Sequence, residues 1–242
     1  MESFSIGDHM IGTDAPVFII AEIGINHGGR EEECARLIEF AAESGANAAK
    51  LQIIDADESY VRGTKSHKAF SGCSLSVEAI DRLCVKAEDC GILLFATPGD
   101  FKSLKTVIDA RMPAIKISSG LLTNLPLIRQ AAETGLPQIM STGMAEMADI
   151  TIALNASRHA GANKIALLQC TSIYPTPPSD VNLRAMNTLA LEFFVPTGYS
   201  DHTLGPLACI AAVAAGATII EKHFTLNSHQ PGADHAISSI PE

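Results

Sequence analysis

Basic residues are scarce in this chain: 17 Lys and Arg stand against 27 Asp and Glu, a formal net charge of −10 at pH 7. That balance argues against nucleic acid as a main partner, because binding phosphate backbones relies on many cations that release counterions. An anionic small molecule needs only a few cations placed locally, and the rest of the acidity serves solubility. Long hydrophobic runs are also missing. No apolar segment approaches the roughly 20 residues of a membrane-spanning helix, and MESFSIGDHM has neither the basic start nor the apolar stretch of a signal peptide. The six cysteines (Cys34, Cys73, Cys84, Cys90, Cys170, Cys209) contain no CxxC pair and fall mostly in apolar periodic stretches, as buried reduced thiols do. No GxGxxG follows the first apolar run, and there is no phosphate-binding P-loop. The expectation is a cytoplasmic protein with neither a nucleic acid nor a membrane as partner.

A hydrophobic fraction of 47% over 242 residues is ample for a sizeable core, and residues 1–242 read as a single domain. Short β-branched runs alternate with longer stretches of helical period. Strands are expected at Val17 to Gly24, Ala48 to Ile54, Ile92 to Thr97, Ala114 to Ser119, Gln138 to Thr142, Lys164 to Cys170, Pro196 to Ser200 and Thr218 to His223. Helices are expected around Glu31 to Ser44, Ser76 to Cys90, Asp100 to Ala110, Pro126 to Thr134, Met147 to Ala160, Val181 to Leu191 and Gly205 to Ala215. Several end at a glycine, among them Gly45, Gly91 and Gly135, as helices commonly do. Near-continuous apolar strands, each followed by a helix, predict an α/β fold with a parallel sheet, and eight of them close a (β/α)8 TIM barrel. A doubly wound open sheet is the alternative topology. Beyond the GADH segment after the eighth strand only Ala236 to Glu242 remains, so the eighth helix is expected to be short or missing. An apolar groove between the seventh and first helices would then be covered by another subunit or a separate chain.

Barrels of this kind do their chemistry at the carboxyl ends of the strands. Those ends are rich in polar residues here: Glu22, Asn26 and His27 after the first strand, Lys50 and Gln52 on the second, Thr97 on the third, Lys116, Ser118 and Ser119 on the fourth. Ser141 and Thr142 follow on the fifth, and Gln169, Ser172 and Tyr174 on the sixth. Lys50 and Gln52 are two apart on a strand and share a face. Burying an isolated ammonium costs several kcal/mol, so Lys50 and Lys116 must bind an anion or pair with a carboxylate such as Glu22 or Glu221. GYSDHT, IIEKHF and GADH bring three histidines together near the end of the chain. If the last two strands are neighbours, His202 and His223 can share one divalent metal, and two protein ligands leave positions open for water or substrate. A core histidine satisfied by a backbone carbonyl is the commoner case. His9, His67, His159 and His229 read as surface residues. Asp234 can bind substrate hydroxyls or orient a histidine.

Taken together, AEIGINHGG, AAKLQ, FATPGD, IKISSG with TNLPLI, STGM, LLQCTSIYPTP, GYSDHTLG, EKHFTL and GADH resemble the sialic acid synthase family, in family order from about residue 18 to 241. The resemblance implies a TIM barrel that condenses phosphoenolpyruvate with the aldehyde of an N-acetylated amino sugar, such as N-acetylmannosamine, and releases phosphate. It implies a divalent metal, Mn²⁺ or Mg²⁺, on His202 and His223. Lys50, Gln52, Lys116, Ser119, Ser172 and Ser200 would line the phosphoenolpyruvate site, with Tyr174, Thr97 and Asp234 near the sugar. Glu22 would orient Lys50 or a water, so that Lys50, Lys116, Glu22 and Asp234 form the expected catalytic set. A homo-oligomer, in the first instance a dimer, is expected as well.

The sequence departs from the family pattern in two ways. The family carries a Glu after the Gly of its IKxSG segment, and here that position is Leu121, which cannot move a proton. Glu22, Asp234 or a metal-bound water then takes over, or the chemistry is altered or lost. Full family members also add an antifreeze-like C-terminal domain, which is expected to be absent here, leaving a separate lid domain or chain to cover the site. Three functions stay open: nonulosonate synthesis, condensation of phosphoenolpyruvate with a different aldehyde, and a non-catalytic barrel that binds phosphosugars.

Overall fold

A computed structural model describes residues 3–241. An antiparallel hairpin, β1 (Phe4–Ile6) and β2 (His9–Ile11), opens the chain. Strands and helices then alternate as β3 (Phe18–Gly24), α1 (Glu31–Glu43), β4 (Ala48–Ile53), α2 (Ala56–Ser59), α3 (Lys65–Ser71), α4 (Val77–Asp89), β5 (Leu93–Pro98), α5 (Phe101–Asp109) and β6 (Ile115–Ile117). They continue as α6 (Leu125–Glu133), β7 (Gln138–Ser141), α7 (Met147–His159), β8 (Ile165–Cys170), α8 (Arg184–Phe193), β9 (Thr197–Asp201), α9 (Leu207–Ala214) and β10 (Ile219–His223). The strand order β10-β3-β4-β5-β6-β7-β8-β9 is that of a closed barrel. The (β/α)8 expectation is therefore met. All eight expected strands are present, with ends shifted by one or two residues.

Three local features escaped the sequence reading. The hairpin turns at Gly7, whose φ of 54° suits a residue without a Cβ, and Gly-Asp is a turn signal for a two-residue loop. Between β4 and α4 lie two short helices, capped by Asp55 accepting from the Asp57 amide and by Thr64 accepting from the His67 amide. Helix α8 starts three residues later than expected, because the preceding single turn Pro178–Asp180 runs into Asn182, which is left-handed at φ 48°. Among the described residues, a single turn at His235–Ile237 and a bridge from Phe224 to Ser239 follow β10.

The chain divides into two compact units. The first comprises Met1–Ile20 with Pro113–Lys222. Tyr199, Met186, Val181, Ala212, Ala217 and Ile220 form one of its buried apolar clusters. Its α9 shows an apolar outer face, with Leu207 76% and Ile210 62% exposed. The second unit comprises Ala21–Met112 with His223–Glu242. Amphipathic α1 and α4 bury Leu37, Ile38, Ile80 and Leu83, and their outer faces meet in a two-point Arg82–Glu31 ion pair. No helix among the described residues is long and apolar enough to cross a membrane.

Candidate active site

The expected site residues fall half in each unit. In the second unit, Glu22 on β3 and Lys50 on β4 form an ion pair of 2.6 Å in which both side chains are 3% exposed. Lys50 also donates to Thr97 Oγ1 on β5 (3.1 Å), and Gln52 Nε2 donates to Glu22 Oε1 (2.9 Å). The i, i+2 spacing of Lys50 and Gln52 brings both to the same carboxylate, as their shared strand face dictates. Such a pair is costly to desolvate and holds only because further hydrogen bonds satisfy it. Gly24, at φ 56°, keeps the next turn clear, since a Cβ there would stand 3.2 Å from Glu22 Oε1.

The segment after β10 is tied to the end of β3 within this unit. Phe224 N–H donates to the Glu22 carbonyl (2.8 Å), and Asn26 Nδ2 donates to the Phe224 carbonyl (2.9 Å) and to Ser238 Oγ (3.1 Å). His223 thereby ends in a fixed place, with Asp234 Oδ2 3.8 Å from its Nδ1. His235, the third histidine of the group, is buried and bonds Thr225 Oγ1 at 2.8 Å. Buried His27 accepts from the Gly29 amide through Nδ1 (3.1 Å). Burial first, and the nearby Arg30 second, lower its pKa to about 4, so the ring is neutral at pH 7.

In the first unit, Lys116 Nζ lies 2.6 Å from Ser141 Oγ and 3.5 Å from Glu221 Oε1, the same oxygen that accepts from Ser200 Oγ at 2.8 Å. Ser119 Oγ accepts from the Gly143 amide (3.0 Å). A Cβ on Gly143 would come within 2.5 Å of Ser172 Oγ and 2.8 Å of Ser119 Oγ, so the two hydroxyls converge over a backbone that only glycine leaves clear. His202 Nδ1 is held 2.9 Å from the Thr171 carbonyl, and the Tyr174 ring lies 4.0 Å from the imidazole. An Nδ1–H that donates to a carbonyl leaves the lone pair on Nε2, the tautomer that a metal ligand needs. Cys170 Sγ lies 3.8 Å from the same ring. Burial alone would raise this thiol, but His202, Ser119 and Lys116 together hold it below the ordinary range.

Of the two alternatives for the lysines, the structure shows pairing with a carboxylate, Lys50 with Glu22 and Lys116 with Glu221. Each lysine touches a carboxylate and a hydroxyl. In the second unit Glu22, Lys50, Gln52 and Thr97 form one bonded group and His223 with Asp234 another; in the first unit Glu221, Gly143 and Cys170 join the expected residues, beside Ser141 from the end of β7. Glu221 was legible only as an ion-pair partner, and Gly143 carried no polar side chain to read. Leu121 ends the single turn Ser119–Leu121 after β6. Lys222 on β10 reaches Asp201 Oδ2 (2.6 Å) and the Thr203 carbonyl (2.7 Å). That pair follows from alternation, because the residue before His202 and the one before His223 both point to the other face of the sheet. Among the described residues, no three His, Cys, Asp or Glu side chains are grouped as a metal cluster.

An eight-stranded parallel barrel with buried lysine–carboxylate pairs and serine hydroxyls at its strand ends defines a (β/α)8 barrel that gathers charged and polar side chains at those ends. The chain matches the NeuB family over residues 37–242 and belongs to that family. It is 43% identical over 242 residues to an uncharacterised protein of Methanocaldococcus jannaschii, covering all of this chain and 72% of that one. It is 38% identical over 249 residues to the N,N'-diacetyllegionaminic acid synthase of Legionella pneumophila, covering 96% of this chain and 70% of that one. Among solved structures, the N-acetylneuraminic acid synthetase of Leptospira borgpetersenii matches with a TM-score of 0.95 at 35% identity, over 99% of this chain and 84% of that one.

Proposed function

We propose that this protein is a synthase that condenses phosphoenolpyruvate with the aldehyde of an N-acetylated amino sugar to give a nonulosonic acid and phosphate. The observation that carries the proposal is the convergence of Ser119, Ser172 and the Gly143 amide in the unit that also holds Lys116. Hydroxyls, a backbone N–H and an ammonium are the donors a phosphate or carboxylate takes. Membership of the NeuB family and the likeness to a legionaminic acid synthase support the reaction class.

In this reading the enolpyruvate C3 forms a bond to the aldehyde carbon, and the carbonyl oxygen takes a proton to become a hydroxyl. Water adds at C2, the C2–O bond to phosphate breaks, and a 2-keto acid remains. Lys116, Ser119 and Ser172 hold the anionic donor, with Ser200 fixing the carboxylate of Glu221 beside Lys116. Lys50, Gln52 and Glu22 form the polar wall on the second unit, with Thr97 orienting Lys50. Tyr174 and Asp234 serve the sugar. Glu221 and Glu22 are the buried carboxylates available to move a proton in place of one at 121. His202, with its Nδ1 proton directed to a carbonyl, and His223, with Asp234 near its Nδ1, have the donor chemistry for a divalent metal such as Mn²⁺ or Mg²⁺. When bound there, the metal would act as a Lewis acid toward a carbonyl oxygen.

Leu121 favours a second reading, in which the same donor condenses with a different aldehyde. Incubation with Mn²⁺, phosphoenolpyruvate and a panel of aldoses, followed by phosphate release, separates the two. Release with N-acetylated amino sugars supports the synthase, release only with other aldoses selects the second reading, and no release refutes both. The proposal includes a homodimer, which the exposed apolar face of α9 supports, and a reducing cytoplasmic setting, in keeping with six free cysteines.

A further inference from the structure

The second unit contains a pocket of about 440 Å³ between the end of β4, helix α3 and the first turns of α4 and α5. Gln52 lines it, and the same Gln52 amide bonds the Glu22 carboxylate that pairs with Lys50. The pocket therefore begins beside the polar wall assigned above, and its size is that of a small-molecule site. Its floor is apolar, with Ile54, Ile80 and Phe70, and Phe70 is stacked on Tyr60 at 5.1 Å. Serine hydroxyls line the rest.

The charges around this pocket are already matched. Among the described residues, Lys102 is the only Lys or Arg in the lining, and it is held 2.6 Å from Asp55 Oδ2. Asp57, also in the lining, is answered from outside it by Arg62 at 2.9 and 3.1 Å and by His67 at 2.9 Å. The positive end of α4 is likewise occupied: the Ser76 hydroxyl accepts from the Ala79 amide, and Glu78 turns back to its own backbone N–H and to Ser76. Buried His27 stays neutral at pH 7. The lining thus presents two carboxylates and one engaged ammonium, with amide and hydroxyl groups elsewhere. A phosphate dianion entering here would meet both carboxylates and no cation that is not already paired.

We propose that this pocket receives the end of the acceptor sugar remote from its aldehyde, and that it selects an uncharged acylamino or hydroxyl terminus over a phosphomonoester. The inference rests on the synthase reading for the identity of the ligand, but its selectivity comes from the pocket alone. The acceptor class is therefore a neutral N-acylated aldose, whose product carries no phosphate.

Calorimetric titration with N-acetylmannosamine and with its 6-phosphate, in Mn²⁺ and without phosphoenolpyruvate, tests this. The wild-type protein is expected to bind the neutral sugar at least tenfold tighter. Asp55→Asn releases Lys102, and Thr106→Lys adds a cation to the lining while leaving the Asp55 helix cap in place. Each is expected to tighten the phosphorylated sugar at least fivefold relative to the neutral one. Equal or tighter wild-type binding of the phosphate form overturns the proposal. So does an unchanged ratio in both variants, or the absence of binding by either sugar. Because no turnover is required, selective binding without phosphate release refutes the synthase reading alone. Phosphate release without selectivity refutes the pocket alone.

Discussion

Replacing Lys222 by Met removes one partner of a buried pair whose other member cannot reach water. Asp201 is 0% exposed in its side chain and Lys222 12%. After the change, Asp201 keeps the Thr203 amide on Oδ1 (2.9 Å) and, on Oδ2, the Thr203 hydroxyl and the Cys209 thiol, both at 3.2 Å. Breaking such a pair costs about 3–5 kcal/mol, and the three remaining donors place Lys222→Met near the lower end, about 3 kcal/mol. Making Asp201 neutral as well removes the stranded charge, so the Asp201→Asn/Lys222→Met double variant should lose only about 1 kcal/mol. The pH dependence has a definite sign. Burial works to raise the Asp201 pKa, but Lys222 and the Thr203 amide outweigh it and hold the carboxyl below its usual range. Its contribution is complete above the unfolded value of about 4 and is lost as the pH falls through the depressed folded value. Urea denaturation of the wild type, both singles and the double at pH 7 measures the cycle. A cost below about 1 kcal/mol for Lys222→Met, or a double variant as unstable as the sum of the singles, would refute the reasoning. The pair also matters for the site, because Lys222 stands opposite Asp201 in the β9–β10 register that sets Glu221 opposite Ser200.

Three further outcomes are expected. His27, with its pKa lowered to about 4, costs stability as the pH falls below the unfolded value of about 6.5, because the unfolded chain takes up the proton first. Between pH 7 and pH 5 the wild type should lose about 2 kcal/mol that a His27→Gln variant does not lose, and matching urea curves in that window would exclude the buried neutral ring. Gly143→Ala pushes a methyl against Ser119 and Ser172, and should raise KM for phosphoenolpyruvate at least tenfold with little change in melting temperature. Unchanged steady-state kinetics would remove that cradle from the donor site. Leu121→Glu should raise kcat for phosphate release, and an unaltered kcat would show that a carboxylate at 121 does not limit turnover.

The barrel was legible because most of its strands are apolar runs largely buried on both faces, spaced by stretches of helical period. Lys50, Lys116 and the two histidines could be read as site residues because polar groups inside such runs need a partner. The sequence could not say which partner. Lys50 faces Glu22, and Lys116 faces Ser141 and Glu221, through contacts between strands far apart in the chain. The segment 55–76 has no strong period of its own, and its two short helices depend on caps and tertiary neighbours. Its pocket was invisible for the same reason, since a cavity and the pairing of the charges around it are properties of packing. Periodicity is written locally along the chain and gave the fold class and the strand positions to within one or two residues. Partnership between distant side chains, and therefore the chemistry each is committed to, is decided only when the strands take their register.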